Sequence, residues 1–348
     1  MKVSIIIPTR NRTHNLAKLL KDIEKQTEKP DEIIIVVYYK DNETKEFLNR
    51  LITNLPVKYV KTDGGSCKSR NRGIKEASGD IIIFLDDDNI LEKNYIMNTK
   101  KIFKNNNINV IGGYTFDIVD LTTPWFIKRG EFKHICNNKD DKFFMTIIME
   151  ISKKYPDYCN ELNKKHKILA YSLTRFLRNF FKILILQEWP KKGIILPSGY
   201  RSEMPDIKNL KGLKKVEWIG SGNFAVRKKV INKFQFNEDL ELLHYALAED
   251  LELSARMGKD YEIFISPDLK LFHLRSIDGI KINQRQRFKS IVVNFYIISS
   301  LRGNKFAYWW SIIGIIISRI FTLPFSYKNG ISELKGIIDG IKYLENLN

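Results

Sequence analysis

The sequence predicts an α/β chain: a doubly wound, mostly parallel sheet with a basic helical insertion and an apolar helical C-terminal region. Three observations carry this. Over residues 1–119 short apolar runs alternate with helical patterns at the spacing of βαβ units. The run Ile81-Ile82-Ile83-Phe84-Leu85 holds no polar residue, the mark of a strand buried on both faces of a parallel sheet. From 120 to about 215 the alternation stops and the chain becomes basic and aromatic, before ordered patterning returns at 216. At 348 residues the chain suffices for one large α/β domain with additions, or for two modest domains.

The elements follow in order. Residues 3–7 are too short for a signal-peptide apolar region and precede no small-residue cleavage site, so they form the first strand. A helical pattern covers 15–25, then come a strand at 33–37, a helix at 43–52 and a strand at 57–60. A helix at 66–77, the strand at 81–85 and a helix at 91–103 lead to Val110-Ile111-Gly112-Gly113. Neither a Walker loop nor a GxGxxG after the first strand is present, which weighs against P-loop NTPases and Rossmann dehydrogenases. Residues 120–215 form the insertion, 216–275 return to the sheet domain, and 276–348 are the C-terminal helical region.

Hydrophobic content of 43% supports an ordinary core. Cys67, Cys136 and Cys159 are odd in number and lack CxxC or CxxH spacing, so neither a disulfide framework nor structural zinc is expected, and a reducing cytoplasm fits. The net charge of +18 is uneven: +4 over 1–119, +9 over 120–220, −2 over 221–272 and +7 over 273–348. Nucleic acid, phosphorylated substrate or lipid headgroups would suit the basic segments, and solvated surface lysines are the plain alternative.

Asp86-Asp87-Asp88 directly follow the buried strand at 81–85. Ligands bind outside the strand ends of open α/β sheets. Side chains alternate along extended chain, so Asp86 and Asp88 point one way and Asp87 the other. A Mg²⁺ ion carrying phosphates would relieve their repulsion, whereas capping the following helix needs only one acid. A second constellation is Gly220-Ser221-Gly222-Asn223-Phe224-Ala225-Val226-Arg227 with Glu249-Asp250. Paired glycines allow close backbone approach to a ligand. The two acids also suit the first turn of a capped helix. His273, near a strand end, becomes a metal ligand only if the fold brings it to the aspartates.

In this order the motifs resemble family-2 nucleotide-sugar glycosyltransferases of the GT-A fold. Val3 to Arg12, including Pro8, Thr9, Arg10 and Asn11, looks like the opening strand and turn of that family. Residues 65–73, with Arg70 and Asn71, resemble its Ala-Arg-Asn-x-Gly segment, with Ser69 in place of alanine. Phe84 to Asp88 matches its DXD strand, Gly220 to Arg227 its acceptor-side Gly-x-Asn segment, and Glu249-Asp250 its ED pair. The resemblance covers about 1–119 and 216–275. It implies that Pro8, Thr9, Arg10, Asn11, Tyr38, Arg70, Asp86 and Asp87 bind a nucleotide diphosphosugar. It further implies that Gly222, Asn223 and Glu249 face the acceptor, that Asp86, Asp88 and His273 hold Mg²⁺ or Mn²⁺, and that Asp250 is the base of an inverting displacement. One departure stands out. The second strand ends Tyr38-Tyr39-Lys40-Asp41 where the family places an acid on the nucleotide base. Tyr38 or Tyr39 would stack on or hydrogen-bond the base, or Asp41 would substitute.

The remaining segments bear on the acceptor. Residues 168–187 place Ser172, Arg175, Arg178, Asn179 and Lys182 opposite Leu169, Leu173, Phe176, Leu177, Phe180 and Leu184, a pattern suited either to a membrane interface or to a core helix. Residues 306–325 approach the length of a span but contain Arg319 and Pro324. In-plane or re-entrant attachment to an anionic membrane ranks first, a single span second and a core helix third, which favours a lipid-linked or membrane-borne acceptor on the cytoplasmic face. The alternatives are a sugar-phosphate nucleotidyltransferase, whose glycine-rich signature is missing here, and a non-catalytic basic binder of anionic polymer, although no recognised motif supports a nucleic-acid partner.

Overall fold

A computed structural model describes residues 1–105, 107–119, 180–206, 210–241, 246–275, 283–323 and 327–346. The first half is the alternation expected: β1 (Val3–Thr9), α1 (Thr13–Glu24), β2 (Glu32–Tyr38), α2 (Asn42–Arg50), β3 (Val57–Thr62), α3 (Ser66–Glu76) and β4 (Ile81–Leu85). Then come β5 (Asn89–Leu91), α4 (Tyr95–Phe103), β6 (Val110–Val119), β7 (Lys214–Val216), β8 (Asn223–Arg227), α5 (Lys228–Lys233), α6 (Glu249–Met257) and β9 (Ile263–Arg275). Three helices close the chain: α7 (Gln284–Leu301), α8 (Lys305–Thr322) and α9 (Tyr327–Glu345).

The strands form one sheet in the order β3-β2-β1-β4-β8-β6-β9-β5, with β7 also on β9. Strands β3, β2, β1, β4, β6 and β9 run one way, while β8 reverses between β4 and β6, and β5 and β7 run against β9. The sheet is therefore mostly parallel, and it draws on both the 1–119 and the 216–275 segments. Strand alternation divides its side chains between two cores. Ile6, Ile34, Ile82, Phe84 and Phe224 fill one, while Val3, Ile5, Ile7, Ile33 and Ile83 fill the other with Leu16, Leu19, Leu20 and Ile23 of α1. The expected helix at 91–103 begins later, at Tyr95. Leu91 belongs to β5 because Asn89, Ile90 and Leu91 pair with His273, Phe272 and Leu271, and this pairing aims the acids at β9.

Glu32 ties β2 to its neighbours. Its carboxylate accepts from Ser4 Oγ at 2.6 Å, from Ser78 N at 2.5 Å and from Ser78 Oγ at 2.6 Å, and pairs with Lys58 at 2.9 Å. Partial burial raises its pKa, but these donors prevail and bring it down to about 2 from the ordinary 4.5. A depressed carboxylate contributes stability that is present above its unfolded pKa and lost as pH falls through the folded one. Glu32→Gln is expected to cost about 1 kcal/mol at neutral pH. In urea melts the difference from the parent protein narrows as pH is lowered from 4.5 toward 2.

Helices α7, α8 and α9 share a third core, which also takes in Leu251 and Ala255 of α6. Tyr308, Ile312 and Ile315 of α8 face this core. Arg319 also points to the bundle, 3.1 Å from Glu333 and over the Phe288 ring. No helix among the described residues is long and apolar enough to cross a membrane, which corrects the single-span alternative. Gly314 of α8 has a local use: a Cβ there would lie 2.3 Å from Ile185, so glycine lets the chain following residues 180–184 pack against the helix. The basic stripe at Ser172, Arg175, Arg178 and Asn179, and most of the 120–215 insertion, lie outside the described residues.

Candidate active site

The acids after β4 lie at the turn into β5, where Arg12 draws Asp87 and Asp88 together. Asp87 turns to the β1 turn, accepting from Thr9 Oγ1 at 2.7 Å and from Arg12 Nη1 at 3.1 Å. The same Arg12 nitrogen lies 3.1 Å from Asp88 Oδ2. Burial pushes the Asp87 carboxyl up to about 7, against the pull of Arg12 and Thr9. Asp88 is buried and its Oδ1 lies 3.0 Å from His273 Nε2, as the pairing of Asn89 with His273 dictates. Asp86, Asp88 and His273 each offer a ligand atom, and these atoms lie within 4.8 Å of one another. Two carboxylate oxygens and one imidazole nitrogen form a donor set that fits Mg²⁺ or Mn²⁺. Gly222 is needed here for space: a Cβ would fall 2.1 Å from Asp86 Oδ2.

Arg70 links this cluster to the second one. Its guanidinium is buried, with Nη2 2.8 Å from Asp86 and Nη1 3.2 Å from Glu249. Burial, and then the Asp250 charge, hold the Glu249 carboxyl above the usual range, opposed by Arg70 and by Ser221 Oγ at 2.9 Å. Ala248, at φ 63°, turns the chain so that Glu249 and Asp250 open α6. Ala248 itself supplies no capping side chain, and Glu249 faces Arg70 and Ser221, which disfavours the purely capping reading. Asp250 Oδ1 accepts from Leu251 N at 2.8 Å, and Oδ2 accepts from Arg201 Nη1 at 3.1 Å. Contacts thus run from Thr9, Asp87 and Arg12 through Asp88, His273, Asp86 and Arg70 to Glu249, with Asp250 next to it.

Three expectations change. Asn223 is no acceptor contact: it is buried, its Oδ1 accepts from Tyr95 at 2.6 Å, and its Nδ2 donates to Thr115 at 3.0 Å. Gly222 borders Asp86, where a Cβ would clash, so its place is beside the cluster of Asp86, Asp88 and His273. Asp41, the alternative base-reading acid, has its oxygens engaged within the fold. It is buried, accepting from Asn11 N at 2.5 Å, Thr44 N at 3.0 Å and Thr44 Oγ1 at 2.7 Å. Asn11 itself is exposed at φ 54°. Arg10 stacks over the Tyr38 ring at 3.9 Å, and Pro8 is half-buried. Arg12 was not foreseen, although a cation in the turn after β1 facing three acids after a neighbouring parallel strand was the signal available.

Residues 4–165 match the family Glycosyl transferase family 2. The chain carries a family-2 glycosyltransferase domain. Among curated relatives of this domain, the uncharacterized glycosyltransferase YwdF of Bacillus subtilis is 40% identical over 98 residues, 28% of this chain and 36% of that protein. The poly(ribitol-phosphate) beta-N-acetylglucosaminyltransferase TarS of Staphylococcus aureus is 32% identical over 100 residues, 27% of this chain and 17% of that protein. The matches thus span well under two thirds of these relatives. The fold of the glycosyltransferase domain is that of GT-A enzymes. S. aureus TarS 1–349 in complex with UDP-GlcNAc superposes with a TM-score of 0.54 at 14% identity, covering 98% of this chain and 79% of that one. The mannosyltransferase PcManGT of Pyrobaculum calidifontis, in complex with GDP-Man and Mn²⁺, gives 0.50 at 12% identity, covering 98% and 87%.

Proposed function

We propose that the protein is a metal-dependent, inverting glycosyltransferase that moves a sugar from a nucleotide diphosphosugar to a hydroxyl of a lipid-linked or other membrane-borne acceptor. The observation that carries this reading is the contact between the two clusters: Arg70 bridges Asp86, beside Asp88 and His273, to Glu249, which precedes Asp250. Arg70 thus links the groups proposed for a phosphate-bound cation to the acid pair proposed to hold the base. The UDP-GlcNAc and GDP-Man with Mn²⁺ held by the two GT-A neighbours support a nucleotide-sugar donor.

Asp86, Asp88 and His273 would hold Mg²⁺ or Mn²⁺, which supplies Lewis-acid neutralisation of the departing diphosphate. The chain's own groups do the rest. Arg70 fixes Asp86 and keeps a positive charge beside the cluster, while Arg12 does the same for Asp87 and Asp88. Pro8, Thr9, Arg10, Asn11 and Tyr38 form the base-binding edge, with Tyr38 presented against Arg10. The Leu251 amide orients Asp250, whose Oδ2 accepts the proton of the attacking hydroxyl. Attack from the side opposite the diphosphate inverts the anomeric centre. The test is a donor screen: nucleotide sugars with uridine and guanosine bases, with Mg²⁺, Mn²⁺ or EDTA, in detergent. Cation-dependent release of nucleoside diphosphate from at least one donor is expected, and release from none would overturn the reading.

A peripheral position on the cytoplasmic membrane face belongs to the same proposal. Phe306, Trp309, Trp310, Ile313, Ile317, Ile320 and Phe321 are exposed and recur every three or four residues along one face of α8. Exposed Phe180 and Leu184 extend this face, Leu184 O accepting from Trp310 Nε1 at 2.9 Å. Tryptophans on an apolar face and a basic chain suit an anionic interface. Full-length protein is expected to float with phosphatidylglycerol vesicles, and Trp309→Ser with Ile313→Ser and Ile317→Ser to reduce flotation about tenfold or more. Equal flotation of parent and variant would remove this face from the account.

A further inference from the structure

We propose that Arg201 reads a phosphate group carried by the acceptor and, until such an acceptor arrives, holds the Asp250 oxygen that takes the proton. The inference rests on the assignment of Asp250 as the base.

Arg201 sits on a fixed hairpin. Ile195 and Arg201 form an antiparallel bridge, and Leu196 N donates to Tyr200 O at 2.7 Å. Gly199 turns the hairpin at φ +86°, where a Cβ would meet Phe295 O at 2.5 Å. Tyr200 stacks on Phe295 of α7 at 4.1 Å, and Ser299 Oγ donates to Pro197 O at 2.7 Å. The backbone is thus braced from behind, and only the side chain has freedom.

The guanidinium lies face-on to Trp218, with its carbon 4.1 Å from the ring centroid. Among the described residues its one hydrogen bond is Nη1 to Asp250 Oδ2, at 3.1 Å, and 46% of the side chain is exposed. A stacked, planar arginine with an open edge is built to take two oxygens of a phosphate at once. The contrast with Arg70 is informative: that guanidinium is buried and held by two carboxylates, so it has no capacity to change partners. A partly exposed single pair such as Arg201–Asp250 is worth little, and exchanging it for a phosphate costs little.

The exchange has a consequence for transfer. Asp250 Oδ1 is committed to the Leu251 amide, which leaves Oδ2 for the acceptor hydroxyl. A neutral hydroxyl must compete with Arg201 for that oxygen. A hydroxyl borne next to a phosphate draws the guanidinium to the phosphate and meets an unencumbered Oδ2. Water competes poorly for the same reason, which limits wasteful donor hydrolysis. A soluble polyol phosphate and a lipid-borne phosphate share this chemistry.

The test compares acceptors with and without a phosphate, using the donor that the protein turns over: glycerol 3-phosphate against glycerol, and, in mixed micelles, phosphatidylglycerol against diacylglycerol. The parent protein is expected to favour the phosphate-bearing member by about tenfold or more in kcat/KM. Arg201→Gln is expected to remove the preference through KM, while glycerol transfer and donor hydrolysis hold or rise; Arg201→Lys restores part of it. Preference in the first pair alone assigns a soluble acceptor, and preference in the second alone a lipid-borne one. An equal fall with both members of a pair, or an unchanged preference, overturns the proposal. Calorimetric titration of glycerol 3-phosphate into EDTA-treated protein reads the subsite without turnover. Binding weakened by Arg201→Gln supports it even if no donor is used, whereas equal binding by both proteins counts against it.

Discussion

Asp88→Asn is expected to abolish cation-dependent turnover while the protein stays folded. Asp88 is the acid on which the proposed cation site turns, since its Oδ1 faces His273 and its Oδ2 faces Arg12. An amide keeps the shape but removes the charge, and it presents an NH₂ group to either His273 or Arg12. The loss should reach several orders of magnitude, because each 1.4 kcal/mol or so of transition-state stabilisation is worth tenfold. Folding should survive, since Arg12 retains Asp87 and the amide still fills the buried space. Thermal melts read the fold, and diphosphate release with Mn²⁺ reads turnover. A folded Asp88→Asn protein with near-normal release would remove Asp88 from the mechanism.

Asp250→Asn should separate binding from chemistry. Its carboxylate contacts Leu251 and Arg201 but neither Asp86, Asp88 nor His273 in the described hydrogen bonds. Donor and cation affinity by calorimetry should therefore stay within a few-fold of the parent. Transfer should fall by about 10²–10⁴, the range of a general base, because an amide cannot take the acceptor proton at neutral pH. Comparable transfer by the variant would assign the base elsewhere, with Glu249 the neighbouring carboxylate.

Much of the scaffold was legible because its strands are extreme. The runs at 3–7, 33–37 and 81–85 have few or no polar residues and could only be buried, and the helices between them carry apolar faces that match. Asp86 and Asp88 stood out in sequence as acids directly behind a buried strand, although residues 87 and 88 lie in a turn and not in extended chain. His273 was legible only through the resemblance, because its approach to Asp88 depends on β5 pairing with β9 across about half the chain. The same limit explains the misses. Asn223 sits in a glycine-rich segment that suggested a ligand, yet Tyr95 and Thr115, from distant elements, consume its amide. Asp41 follows a strand end as a base-reading acid would, but the neighbouring Thr44 and the left-handed Asn11 claim its oxygens. Arg12 left only the signal of a cation in the turn after β1, and Arg201 announces nothing in sequence, since a lone arginine takes meaning from the carboxylate that the fold brings to it.

The anomeric configuration of the first product distinguishes a single displacement from a double one. Proton NMR during turnover of an α-linked nucleotide sugar in the presence of Mn²⁺ resolves the coupling at the anomeric proton before any equilibration. A β-linked product is predicted, from one displacement with Asp250 as base beside the cluster of Asp86, Asp88 and His273. An α-linked product would contradict it.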